Sequence, residues 1–151
     1  MKQRIVYLDS SAIVKRYIKE PGSDFVRNLY LETYSGDVKV SFSLWNIGEV
    51  LGAFKRAESL HRLHEDSFKL VKNRFLSETK RMAKLRIAVI IPVRSKILVE
   101  TWKLIECHNL YEADALQIAT AKKVGAESFL TADSVLHEIA QKENLHSIYL
   151  G

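Results

Sequence analysis

The sequence is poor in cysteine, in proline and in long apolar runs, and each shortage removes a class of protein. Cys107 is the only cysteine among 151 residues, so there is neither a disulfide framework nor a cysteine-built zinc site, as suits a reducing cytosol. The longest apolar run, Ile87 to Ile91, falls far short of the ~20 residues a membrane-spanning helix requires. At the N-terminus Lys2 and Arg4 precede only a few apolar residues before Asp9, too few for the core of a signal peptide. The expectation is a soluble, cytoplasmic protein with no membrane partner. Two prolines and six glycines form no flexible linker and no repeat, so residues 1–151 read as a single domain. The glycines also lack the spacing of a phosphate-binding loop or a dinucleotide fingerprint.

What the sequence does contain is alternation of strand and helix patterns, on a chain long enough to bury a core without staples. Its net charge of +5 and pI near 9.3 favour a polyanionic partner. Ile5-Val6-Tyr7-Leu8 predicts a strand buried on both faces. That strand delivers Asp9 to its carboxyl edge, where open α/β sheets bind ligands. Ser10 or Ser11 can cap a helix through Ile13, Val14, Tyr17 and Ile18, stopped by Pro21-Gly22. Ser23 opens a second helix that ends at Ser35-Gly36, and Val38 to Phe42 alternates like a strand nearer the sheet edge. Ser43 caps a third helix carrying Trp45, Ile47, Glu49, Leu51 and Phe54. A long amphipathic helix from about Arg62 to Leu85 buries Phe68, Val71, Phe75 and Met82. Ile87 to Ile91 reads as another buried strand, followed by a helix with Leu98, Trp102 and Ile105 and one from about Leu110 to Val124, ended by Gly125. Ser128 to Thr131 is a strand, Ser134 to Asn144 a helix and Ile148 to Leu150 the last strand. Five strands joined mostly by helices make an α/β domain with a mainly parallel sheet.

Four acids stand out. Asp9 ends the first strand. Asp133 follows Thr131-Ala132 at another strand end and precedes a helix, where capping is the competing role. Asp114 lies in a helix that is apolar or small nearly all round, and a capping box of Asn109 with Glu112 leaves it no structural job. A carboxylate on such a stripe has to be paired or bound to metal, and no Lys or Arg stands one turn away. Glu49 lies opposite Leu44, Ile47, Leu51 and Phe54 on a helical wheel, which reads as exposure. Its neighbours Gly48, Gly52 and Ala53 are nevertheless small enough for a substrate or another chain to come close. A haloacid-dehalogenase-like enzyme requires a second aspartate where the chain has Ser11, and a response-regulator receiver requires one at Ile91-Pro92.

Four fragments carry a family likeness: Val6-Tyr7-Leu8-Asp9-Ser10-Ser11-Ala12 with Glu20-Pro21-Gly22-Ser23 after it, Gly48-Glu49-Val50, Glu112-Ala113-Asp114-Ala115-Leu116-Gln117-Ile118-Ala119, and Leu130-Thr131-Ala132-Asp133. In this order and context they resemble the PIN-domain ribonucleases, most closely the VapC-type toxins of toxin–antitoxin pairs. The resemblance implies a three-layer α/β/α sandwich with strand order 3-2-1-4-5. It implies a metal-dependent endoribonuclease whose catalytic and metal-binding residues are Asp9, Glu49, Asp114 and Asp133, supported by the hydroxyls of Ser10 and Thr131. A homodimer and a small antitoxin protein that blocks the acidic pocket are implied as well. Two carboxylates about 4 Å apart repel by ~4 kcal/mol at an effective dielectric of ~20, so four in one place require divalent cations between them. Hard oxygen ligands favour one or two Mg²⁺ or Mn²⁺ ions. Asp9 and Asp114 are the candidate direct ligands, Glu49 holds metal or orients the attacking water, and Asp133 completes a second position or acts through water. The substrate expected is RNA, single-stranded or structured, although attack by water does not use the 2′-hydroxyl and leaves DNA open. The competing reading is a non-catalytic PIN fold that binds RNA or a protein.

Between Arg62 and Arg86 eight basic residues face three acidic ones, a surplus of 8 − 3 = +5 that equals the net charge of the chain. Lys69, Lys72, Arg74, Lys80, Arg81 and Lys84 are therefore candidate nucleic-acid contacts, against the alternative of a solvated outer face. His61 and His64 share a helix face but lack a third ligand. Cys107 is expected in the core, His108 as a cation at a helix C-terminus, and Trp45 and Trp102 as core or interface anchors.

Overall fold

The computed structural model describes residues 3–151; Met1 and Lys2, the latter counted above as an N-terminal charge, lie outside the described residues. Five strands, β1 (Arg4–Leu8), β2 (Val38–Ser43), β3 (Ala88–Ile91), β4 (Ser128–Thr131) and β5 (Ser147–Tyr149), form one parallel sheet in the order β3-β2-β1-β4-β5. Parallel neighbours require crossovers, and helices supply all of them. The helices α1 (Ser10–Tyr17) and α2 (Ser23–Tyr34) join β1 to β2, and α3 (Leu44–Ser59) and α4 (Glu65–Lys84) join β2 to β3. From β3 the chain returns to the other side of β1 through α5 (Ser95–His108) and α6 (Glu112–Val124), and α7 (Ser134–Lys142) leads from β4 to β5.

Alternate side chains of β1 enter opposite cores. Val6 and Leu8 pack with α1, α2, α3 and α4, while Tyr7 packs with α5, α6 and α7, making the three-layer sandwich that the resemblance implied. A strand covered on both faces has no use for polar alternation, hence its unbroken apolar run. The chain leaves β1 toward β2 and later comes back to β4 on its other flank, so the carboxyl ends of β1 and β4 form the switch point of the sheet. On the α1 side, buried Glu78 of α4 accepts from Arg16 Nε and Nη2, both at 3.0 Å, and from the hydroxyls of Tyr17 and Tyr34, both at 2.8 Å. One carboxylate thereby ties α4 to α1 and α2.

Several local expectations are corrected. The N-cap of α1 is Asp9 itself, with its carboxylate accepting from the Ala12 amide, and not Ser10 or Ser11. Asn109 adopts a left-handed conformation, φ 55°, as the C-cap of α5; the N-cap of α6 is Tyr111, which makes no side-chain capping bond, and Glu112 accepts from Thr101 Oγ1 instead. β3 is an edge strand and only partly covered, since one flank and part of each face lack neighbours. His61, with φ 58°, lies in the turn after α3, and His64 is the N-cap of α4, so they share no helix. Cys107 is exposed, and Trp45 and Trp102 are 50% and 60% exposed, which excludes the core for both. His108 meets Glu143 at 2.7 Å at the end of α5.

Candidate active site

At the switch point the ends of β1 and β4 are stitched together through hydroxyls. Asp9 Oδ1 accepts from Ser11 Oγ at 2.6 Å and the Ala12 amide at 3.0 Å, and its Oδ2 accepts from Thr131 Oγ1 at 2.5 Å. The same two hydroxyls accept from the amides of Ala132 (2.8 Å) and Asp133 (3.0 Å). Asp9 is buried, and burial pushes its pKa up to about 6 against the pull of these bonds, with the negative charge of Asp133 adding to the rise.

Asp133 caps a helix and also borders the hollow. Its Oδ1 caps α7 by accepting from the Val135 and Leu136 amides at 3.0 and 3.1 Å, and the side chain borders the same hollow as Asp9. Asp114 stands half-buried in the first turn of α6, where the helix dipole favours an anion. Its carboxylate has no hydrogen-bond partner among the described residues, and burial, then the charges of Asp133 and Glu49, raise its pKa. Glu49 is turned inward: its Oε1 accepts from Ser10 Oγ at 2.7 Å and Asn46 Nδ2 at 3.3 Å. The exposure expected from the helical wheel came from a wrong phase. Leu44 is 54% exposed, and the stripe that is buried runs through Asn46, Val50, Phe54 and Ala57.

These four carboxylates border one open hollow of about 770 Å³. Ser10 lines it, and Thr131 holds Asp9 from behind. The cations at its rim are Lys15, Lys19, Arg56 and Arg62. None of Lys69, Lys72, Arg74, Lys80, Arg81 and Lys84 lines it; Arg74 and Arg81 stand instead around Glu78. A second hollow of about 760 Å³ lies between α5 and α6 among lysines, away from all four acids.

The residues that sequence reasoning passed over are Ser11, Asn46, Gln117 and Tyr7. Asn46 is fully buried and occupies the third position of the Ser43 capping box, a spacing visible in the sequence. Gln117 is a lone amide one turn after Asp114 in the otherwise small and apolar stretch Ala115–Ala119, and that oddity was the available signal. Tyr7 sits inside an apolar strand and gave none.

The donor set suits a hard divalent cation, being the four carboxylates, a fifth from Glu20 that is paired with Lys15 at 3.4 Å, and neutral amides and hydroxyls, with no thiolate or imidazole. Among the described residues no three His, Cys, Asp or Glu side chains stand close enough together to cage an ion. Carboxylates spread around an open hollow fit an ion that keeps several waters and is bound through one or two carboxylates, which is how Mg²⁺ is commonly held.

The model of the PIN domain family matches residues 6–142. FitAcB of Neisseria gonorrhoeae has a similar fold, with a TM-score of 0.66 and 17% identity over 95% of this chain and 96% of that one. VapC20 of Mycobacterium tuberculosis, a toxin that cleaves the sarcin-ricin loop, is similar with a TM-score of 0.62 and 16% identity over 87% of this chain and 92% of that one. VapBC2 of Rickettsia felis, solved bound to a DNA fragment from its promoter, has a TM-score of 0.61 and 18% identity over 97% and 99% of the two chains. No curated protein matches the chain by sequence. Among the described residues no helix is long and apolar enough to cross a membrane.

Proposed function

The chain belongs to the PIN-domain family, and on that footing we propose that it is a Mg²⁺- or Mn²⁺-dependent endoribonuclease acting as the toxin of a toxin–antitoxin pair. The observation that carries the reading is the meeting of Asp9, Glu49, Asp114 and Asp133 around one hollow at the switch point of the sheet. Burial and the charges of neighbouring carboxylates raise the pKa of Asp9 and Asp114, and with no ammonium or guanidinium paired to either among the described residues, they make a site that a divalent cation would suit. Such an ion would activate water for attack and offset charge on the phosphoryl oxygens.

Asp9 and Asp114 are the residues to hold it, Asp9 in a fixed rotamer because three donors grip both oxygens. Glu49, oriented by Ser10 and Asn46, has its second oxygen free to accept a proton from the attacking water. Asp133 has one oxygen occupied in capping and the other available to a water or a second ion. Lys19, Arg56 and Arg62 have no carboxylate partner among the described residues and draw the phosphate backbone to the rim. VapC20 is a toxin that cleaves the sarcin-ricin loop; the proposal for this chain also includes a homodimer and a small antitoxin that covers the hollow.

The test is cleavage of a pool of RNAs by the purified protein. Mg²⁺ or Mn²⁺ should support cutting, EDTA should stop it, and Asp9→Asn should abolish it while the protein stays folded. Undiminished cleavage by that variant refutes the mechanism, and binding without cleavage moves the protein to the non-catalytic reading. Expressed alone the protein should arrest growth, and the product of a short adjacent reading frame should relieve the arrest.

A further inference from the structure

Behind the four acids a buried chain of amides fixes one donor that has only a marginal acceptor. The backbone N–H of Ser43 lies 2.7 Å from one side-chain atom of Asn46. A backbone nitrogen can only donate, so that atom is Oδ1. The Asn46 amino group therefore points the other way, to Ser10 Oγ at 2.8 Å and to Gln117 at 2.9 Å, which makes the facing Gln117 atom its oxygen. Tyr7 Oη donates to that oxygen at 2.7 Å, and burial pushes this phenol far above its ordinary range and keeps it protonated.

With Oε1 engaged twice, the orientation of the Gln117 amide is set. Its Nε2 is left with one marginal contact, 3.4 Å to the Ala113 carbonyl. The side chain is 97% buried and lines the hollow one turn from Asp114. A buried N–H without a good acceptor is costly, and the side chain that carries this one lines a hollow whose substrate has two non-bridging phosphoryl oxygens on every linkage. A neutral amide suits the task. A carboxylate there would repel the phosphate, and an ammonium would neutralise the acids that hold a cation.

We propose that Gln117 is a substrate-contacting residue, its Nε2 donating to a non-bridging oxygen of the scissile phosphodiester. The assignment rests on the ribonuclease reading above and adds a donor to it. No bond to Gln117 forms or breaks; the hydrogen bond strengthens as charge accumulates on that oxygen in the transition state.

The experiment uses the RNA cut in the assay above, made all-oxygen and with sulfur in either diastereomeric position of the cleaved linkage. Gln117→Met keeps the length and removes the amide, while Gln117→Glu keeps an acceptor for Tyr7 and Asn46 and removes the donor. In Gln117→Met kcat should fall on the order of a hundred-fold with KM nearly unchanged; in Gln117→Glu kcat should fall at least as far, and the added charge should also raise KM. In the wild type one diastereomer should be slowed in a way that Mn²⁺ does not restore, and in Gln117→Met that sulfur penalty should vanish. If Gln117→Met does not fold, Gln117→Glu is read in its place by the same two measures. Folded variants with wild-type kcat overturn the proposal, and so does a lowered kcat with an unchanged sulfur penalty, which would make Gln117 a positioning residue for Asn46 and Glu49. An inert wild type defeats the ribonuclease reading and this proposal together, whereas an active wild type with normal Gln117 variants defeats this proposal alone.

Discussion

Replacing Asp9 by Asn should stabilise the metal-free protein at neutral pH even as it ends cleavage. The pKa of Asp9 lies at about 6 in the fold against an ordinary 3.8, so the folded state holds this proton more tightly than the unfolded chain does. The stability linked to it is fully present below about pH 3.8 and is lost as the pH rises through about 6. At ~1.4 kcal/mol for each pH unit between the two values, the buried charge costs about 3 kcal/mol at pH 7.5. Asn keeps an oxygen for the Ala12 amide and Ser11 but places an amino group opposite Thr131, whose hydroxyl has to turn round, returning roughly 1 kcal/mol. The net gain is about 2 kcal/mol, or roughly 4–8 °C in melting temperature for a chain of this size.

Thermal melts of both proteins in EDTA between pH 4 and 7.5 read this as a difference between variant and wild type. The difference matters because Glu78 and Glu143, held below their ordinary range by their partners, contribute with the opposite sign to both proteins alike. The gain should grow from near zero at pH 4 and level off above pH 6, and Mg²⁺ should narrow or reverse it by stabilising the wild type alone. A difference independent of pH, or an Asn variant less stable at pH 7.5, would refute the account of Asp9 as a buried, uncompensated charge.

Arg56→Ala and Arg62→Ala should each raise KM for RNA and lower the salt dependence of binding by about one phosphate contact, while Lys80→Ala and Lys84→Ala, which do not line the hollow, should leave both unchanged; binding titrations against salt concentration decide. Glu78→Gln removes the charge that Arg16 grips at two points, and urea denaturation should show a loss of about 2–3 kcal/mol, reduced from the fully buried case because Arg16 keeps some contact with water.

Much of the architecture was legible because its causes are local. Apolar runs at β1 and β4, the Ser43 cap and the glycine stop at Gly125 express backbone sterics and hydrogen bonding over a few residues. Failures came wherever a local pattern had two readings. Leu44, at the start of α3, looked like core and shifted the helical phase, which put Glu49 on the wrong face. Ile87 to Ile91 looked like β1, yet β3 lies at an edge, and strand order is set by partners far away in sequence. Cys107, Trp45 and Trp102 are apolar, but hydrophobicity does not say which side of a helix meets the core.

The sequence by itself determined the strand–helix alternation and delivered Asp9 and Asp133 to strand ends, because a strand buried on both faces has to be apolar and its first polar residue marks where it stops. Only the tertiary structure decided that Glu49 and Asp114 turn toward the same hollow, that Lys15, Lys19, Arg56 and Arg62 and not the basic face of α4 surround it, and that Asn46 and Tyr7 lock the amide of Gln117. Those facts depend on helices packed on opposite faces of one sheet, and the free energy that docks them comes from contacts between residues remote along the chain.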